Sequence, residues 1–398
     1  MMRKSLFIIA LVYSCLLCAA DFVPESRWIT ASEGNVDAEN TWIAFRKDIT
    51  LGSIPMKVEA SIAADSKYWL WINGEMVVFE GQLKRGPTPK DTYYDKVDIT
   101  PFLKKGNNEV AVLLWYFGKS GFSHNSSGKS GLLFSAQAIG LYSSSQWMSR
   151  IHPAYGTCGD PKPNGRLSES SIRYDGNKDL GEWQTGSVQD GFAASKEIGK
   201  AGTAPWNALV ERPTPLWKNF GPKKGKYVTK RGAEEDTLVV ALPYNMQLTP
   251  IIEVEDPEGG HAVSIKSDHL FGGGEPNVWA QYITRPGRQK YESYGWFNAE
   301  HLYVTVPHGV KVKSIQYRET GYNSEVVGGF KCDDDYFNTY WKKTMRTLYV
   351  NMRDTYFDCP DRERAQWWGD GTLLMTESFY SHTTASHAMA RKGLLELC

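Results

Sequence analysis

Asp358-Cys359-Pro360-Asp361-Arg362-Glu363-Arg364-Ala365-Gln366-Trp367-Trp368-Gly369-Asp370 decides the reading of this chain. Four carboxylates, two arginines and two adjacent tryptophans share these thirteen residues, more charge and aromatic surface than the interior of a helix or strand carries. Charged groups beside large aromatics suit the edge of a pocket for a polar ligand with an apolar face, and sugars have that character. A carboxyl beside tryptophan loses hydration and tends to stay protonated, whereas one beside arginine tends to stay ionised. Glu363 and its neighbours are therefore candidates for acid/base chemistry on a glycosidic bond. The alternative is a salt-bridged helix start with Trp367 and Trp368 buried, since ion-pair networks also perturb pKa values.

The stretch resembles the signature of the α-L-rhamnosidase family of inverting glycoside hydrolases. Asp358, Cys359, Pro360, Arg362, Glu363, Arg364, Trp367, Gly369 and Asp370 fall on matching positions. It departs from the pattern in having a single acidic residue at Glu363 and Gln366 where glycine is usual. The resemblance implies that Glu363 is the catalytic general acid and that Asp358, Arg362, Trp367 and Asp370 bind substrate. Asp358 and Asp370 would hydrogen-bond sugar hydroxyls, Arg362 would hold those carboxylates ionised, and Trp367 would wall the sugar. It implies a rhamnose-containing glycan or glycoside as substrate, with no cofactor and no metal ligand. The fold implied is multidomain: two all-β sandwich domains, then the first helices of an all-α (α/α)6 six-hairpin barrel.

Upstream of the signature, Gly328-Gly329-Phe330-Lys331-Cys332 marks a change from β to α patterning. Asp333, Asp334 and Asp335 are helix-cap candidates, with a metal site as the alternative. Phe337, Tyr340, Trp341, Thr344, Met345 and Leu348 follow at helical spacing. Pro360 disfavours helix at its predecessor, so the signature reads as a loop, with helix resuming near Gly371. His382 and His387 lack a zinc-protease pattern and read as surface or helix-end residues. Twelve helices of ~11 residues with connectors of at least ~4 residues need roughly 180 residues, and residues 328–398 supply 71. The barrel is therefore expected to be incomplete in this chain, with the family's second, downstream glutamate outside it.

Residues 1–20 carry Arg3 and Lys4, an apolar run and small residues before Asp21, the form of a secretory signal. Export to a periplasmic or extracellular space is expected. Val12-Tyr13-Ser14-Cys15 is a weak lipid-anchor candidate, and no later stretch reaches the ~20 apolar residues of a membrane span. With 45 basic and 45 acidic residues the net charge is zero, which draws the chain to no nucleic acid. Cys158, Cys332, Cys359 and Cys398 show no metal spacing and form no disulfide scaffold.

Residues 21–216 read as an amino-terminal accessory β-sandwich. Val58, Ala60 and Ile62 alternate with polar residues, Asn73-Gly74 marks a hairpin, and residues 109–117 form another strand. Trp69, Trp71, Trp115 and Tyr116 are expected in core packing, with the other strand faces left for carbohydrate binding. Asn125-Ser126-Ser127 matches a glycosylation sequon by coincidence. Residues 217–236, rich in Lys and Gly, read as a linker. Residues 237–327 read as a second sandwich, with strands at 239–242, 251–254, 263–265, 302–306 and 312–317, and Gly272-Gly273-Gly274 as a turn. A non-catalytic carbohydrate-binding protein and a six-hairpin glycosidase for another sugar are the competing readings.

Overall fold

The structure, a computed structural model, describes residues 21–397 apart from 82, 84, 85 and 187–190. The expected signal segment and Cys398 therefore lie outside the described residues. The chain is mostly β, with helices α1 (Asp335–Val350), α2 (Trp368–Ser381) and α3 (Ala385–Leu395) at its carboxyl end. None of its described helices is long and apolar enough to cross a membrane.

The amino-terminal domain is a two-sheet sandwich. A seven-stranded sheet containing Glu59–Asp65 and Gly131–Ala136 faces a six-stranded sheet containing Thr41–Leu51, Gly106–Tyr116 and Lys67–Ile72. Alternation sends Ile43, Phe45, Leu70, Ile72, Val112 and Leu114 into the core between the sheets. Asn73 and Gly74, with φ of 53° and 79°, make the expected tight hairpin.

The opposite face of the six-stranded sheet is not open. Trp42, Trp69, Trp71 and Trp115 project there and are buried against Ile172 and Trp183. Trp42 stacks on Tyr155 at 3.9 Å and Trp69 on Tyr294 at 4.8 Å. The tryptophans are thus buried as expected, though in an interdomain seam, and the strands' other faces, expected to be left for sugar, form the core between the two sheets. Every residue of Lys67–Ile72 is buried for this reason.

The second domain is a ten-stranded sheet organised around one 22-residue strand, Glu235–Asp256. Its first half pairs with Phe297–Pro307, and its second half with Lys311–Gly321 and Gly287–Glu292. The strands expected at 239–242 and 251–254 are therefore one strand, whose pairing with Phe297–Pro307 shifts register between Ala241 and Met246. The expected linker at 217–236 is also corrected. Lys218–Lys224 pairs with Lys311–Gly321, and Tyr227–Lys230 pairs with the long strand. Lysine and glycine there reflect exposed strands with a solvated face, a usual place for lysine.

The boundary at residue 216 is likewise not a clean cut. Tyr155–Thr157 and Ile172–Asp175 leave the first domain and extend the second sheet, Ile172–Asp175 lying parallel to Ala280–Ile283. Residues 21–216 thus supply one sandwich and an edge of the next.

The Asp334 carboxylate caps α1, accepting from the Tyr336 amide at 2.8 Å. Leu348, Met352, Tyr356, Met375 and Met389 pack with Trp217 and Tyr322 from the β region. His382, read as a surface or helix-end residue, is the cap at the end of α2 and is buried there, parallel to the Tyr349 ring. Burial lowers its pKa.

Buried charges also tie the helical segment to the rest. Lys67 and Glu80 from the first sandwich are 2.7 Å apart, and the second Glu80 oxygen receives Arg353 at 2.6 Å. Lys67 also approaches Glu169, which pairs with Arg364 at 3.0 Å. Burial opposes ionisation of Glu169, but Arg364 and Lys67 outweigh it and hold the carboxyl at about 2. A second network runs from Asp95 through Arg212 and Asp354 to Lys392 on α3.

Candidate active site

The signature forms the loop from the end of α1 into α2, and its shape is set from outside itself. Asp361 is held by the second domain: His269 Nδ1 donates to it at 2.8 Å, Asn277 at 3.0 Å and Asn298 at 3.1 Å. The Asn164 amide donates to the Arg362 carbonyl at 3.0 Å. Arg364 takes a left-handed φ of 52°, a strained conformation for a residue with a side chain. It persists because the guanidinium is locked: Nε donates to the Pro360 carbonyl, Nη1 meets Glu169, and the Trp296 ring lies 3.6 Å away.

This loop lines an open cleft of about 630 Å³ into which Asp358, Arg362, Glu363, Trp367 and Asp370 all face. All five candidates are thus brought together. Gly272 and Gly273 complete the wall from the second domain. A Cβ at Gly273, whose φ is +58°, would stand 3.2 Å from Arg362 Nη1, so glycine lets this turn lie on the arginine. The glycine turn is therefore a turn as expected, and also part of the cleft.

Glu363 accepts from Trp367 Nε1 at 2.7 Å and pairs with Arg362 at 2.9 Å. Arg166, on the crossover segment of residues 158–171 that joins Tyr155–Thr157 to Ile172–Asp175, stands 3.7 Å away. The Trp367 bond, with help from Asp358 and the two arginines, lowers the Glu363 pKa. Asp358 shifts the other way, raised by burial and by its bond to Glu363, although the Ala365 amide donates to it at 3.0 Å. The two carboxyls are thus tuned apart, and Trp367 presents its N–H edge to Glu363 and favours the anion. Arg362 was expected to hold Asp358 ionised, but its ion pair is with Glu363. Two hydrogen-bonded carboxyls retain one proton between them over a wider pH range than either alone.

Trp367 is 49% exposed and meets Phe122 of the first sandwich edge to face at 5.7 Å. Asp370 lies in the first turn of α2. Cys359 is free and half-buried, its Sγ 3.5 Å from Asp358 Oδ2. Sequence reasoning missed Arg166, Glu169, Asp361 and the glycine turn as parts of the site. Arg166 and Glu169 lie almost two hundred residues upstream with no periodic signal, and Asp361 was inside the quoted stretch without a partner in view.

The His269 bond gives a pH test. Its bond to Asp361 raises the His269 pKa. A raised folded-state value means stabilisation is full below the unfolded value, near ~6.5, and fades as pH rises through the folded value. The melting difference between the native protein and His269→Gln should be larger at mildly acid pH and shrink at alkaline pH. A difference that grows with pH contradicts the assignment.

Comparison with known proteins agrees with this architecture. Residues 325–397 match the family model described as the bacterial alpha-L-rhamnosidase 6 hairpin glycosidase domain. An alpha-L-rhamnosidase of Formosa agariphila is 24% identical over 376 residues, covering 85% of this chain and 38% of that protein. The chain thus spans well under half the length of that curated relative. Among solved structures, a GH78 family rhamnosidase of Bacillus sp. GL1 is similar with a TM-score of 0.78 and 17% identity, covering 91% of this chain and 62% of its own. The alpha-L-rhamnosidase of Aspergillus terreus is similar with a TM-score of 0.71 and 19% identity, over 92% of this chain and 44% of its own. These likenesses show the fold: β-sheet domains followed by the start of a helical barrel.

Proposed function

We propose, from the premise that this chain is α-L-rhamnosidase-like in sequence and fold, that it serves the inverting hydrolysis of terminal α-L-rhamnosyl residues. The observation that carries the reading is the Asp358–Glu363 pair at the wall of one cleft with Arg362, Trp367 and Asp370. Glu363 is the general acid: its carboxyl protonates the leaving glycosidic oxygen as the bond to the anomeric carbon breaks. That proton is the one the pair shares: it rests mainly on Asp358, passes along their hydrogen bond to Glu363 and from there to the leaving oxygen, so that both carboxyls end ionised. A bound sugar would remove water from Glu363 and favour its neutral form. Arg166 and Arg362 then stabilise the carboxylate left after transfer, and Asp358 and Asp370 offer acceptors to sugar hydroxyls. Inversion requires a water activated by a second carboxylate roughly 6.5–9.5 Å across the sugar, a role the resemblance gives to a downstream glutamate.

Tyr336, Tyr340, Leu373 and Tyr380 expose apolar surface on α1 and α2, where further helices of such a domain would pack. The assay is therefore set on a protein joining this chain to a complete six-hairpin domain. Proton NMR of an aryl α-L-rhamnoside digest should show β-L-rhamnose as the first product. The α-anomer appearing first would overturn inversion, and release of another sugar in preference to rhamnose would overturn the substrate.

Export is part of the proposal and rests on residues 1–20 alone. Mass spectrometry of the protein from its own cells should find Asp21 as the mature amino terminus; a cytoplasmic protein with Met1 intact would refute it.

A further inference from the structure

A second cavity, with no residue in common with the catalytic cleft, lies where the first sandwich meets the second sheet. It encloses about 190 Å³ and is lined on one side by His152, Tyr155, Tyr174 and Trp183 and on the other by Tyr291 and Tyr294. At ~30 Å³ per water the space equals roughly six waters, the bulk of one pyranose ring with its hydroxyls.

The walls are rigid. Tyr155 is fixed by its stack on Trp42 and Tyr294 by its stack on Trp69. Tyr174 packs edge-on against Tyr155 at 4.8 Å. Parallel pairing of Ile172–Asp175 with Ala280–Ile283 holds the two sides in register, and the Asn177 side chain donates to the Thr284 carbonyl at 2.9 Å. A site whose aromatic groups are already ordered spends little entropy on binding.

Its polar groups suit a neutral polyol. His152 is 3% exposed and its Nδ1 accepts from the Ala154 amide at 3.4 Å. The proton therefore sits on Nε2, which has no protein partner among the described residues. Burial lowers the His152 pKa to about 3, so the ring offers a neutral donor. The exposed Asp179, Arg285 and Lys290 stand at its mouth, and Glu292 in its wall is already paired with Arg318; both signs are present and supply donors and acceptors. Donors and acceptors of both signs suit the hydroxyls of a sugar, whereas a charged ligand would meet a like charge either way.

We propose that this seam is a second, non-catalytic saccharide site that takes one neutral pyranose unit. On a polymeric substrate it would raise the local concentration of chain at the catalytic cleft without itself reacting. The inference does not depend on the catalytic reading.

Residues 21–398 are titrated with methyl glycosides of L-rhamnose, D-galactose and D-glucose by saturation-transfer NMR. Binding of at least one in the millimolar range is expected. Asp179→Ala and, separately, Arg285→Ala are on exposed positions and should leave the melting temperature close to native while weakening this binding at least ~10-fold. Trp367→Ala, in the catalytic cleft, should leave it in place. Absence of binding by all three sugars overturns the proposal. So does binding that survives both mouth variants at native strength, which would locate it elsewhere.

Discussion

Glu363→Gln, in a protein joining this chain to a complete six-hairpin domain, should lower kcat on rhamnosides with poor leaving groups by ~10²–10⁴-fold. Activated aryl rhamnosides should lose much less. Glutamine keeps the shape and can still accept from Trp367 Nε1, at 2.7 Å in the native protein, but has no proton to give. A phenolate with low basicity leaves without one; an alkoxide does not. Asp358→Asn separates the two carboxyls further. If Asp358 holds the shared proton, as its raised pKa and the lowered pKa of Glu363 indicate, its loss should shift the acid limb of the pH–rate profile as well as lower the rate. Equal loss on both substrate classes in Glu363→Gln would remove Glu363 from the acid role.

Glu80→Ala should destabilise the protein by about 3–5 kcal/mol, the range for breaking a buried ion pair from one side. Glu80 is 1% exposed and stands between Lys67 at 2.7 Å and Arg353 at 2.6 Å. Removing it leaves two cations facing one another away from water. Burial already lowers the Lys67 pKa, so Lys67 would be the group to give up its charge. The triple change Lys67→Met, Glu80→Leu, Arg353→Met is the informative partner. Because desolvation offsets most of the attraction inside such networks, it should recover much of the lost stability in urea unfolding. If it does so while rhamnoside turnover stays low, the network's role is to fix the signature loop against the first sandwich. A Glu80→Ala variant as stable as the native protein would mean that the joint is held by Trp217, Leu348 and Met352 alone.

The same network ties the domains to one another. Lys67 and Glu80 belong to the first sandwich, Glu169 to the crossover segment, and Arg353 and Arg364 to the helical segment. A cut after residue 327 would strip Glu80 and Glu169 of their arginines and expose Trp217 and Tyr322. The accessory sandwich is thus a structural support of the cleft.

By itself the sequence determined the local features. Asn73-Gly74 specifies its hairpin because two consecutive residues tolerate positive φ, Asp334 specifies the start of α1 because its carboxylate satisfies a free amide, and Pro360 keeps the signature out of a helix. The thirteen-residue signature also identified five residues that meet in one cleft, since all lie close enough in sequence for a single loop to bring them together. Only the tertiary structure decided what those residues are tuned to do. Which edge of Trp367 meets Glu363, and that Arg362 pairs with Glu363 and not with Asp358, depend on a loop held by His269, Asn298, Glu169 and Trp296. Those partners lie tens to hundreds of residues away and leave no period or spacing to read. The same holds for the seam: alternation shows that Trp42, Trp69 and Trp115 share one face of a sheet, but not whether water, sugar or a second domain covers it. That choice is made by long-range burial, to which a strand's own sequence contributes only half of the contact.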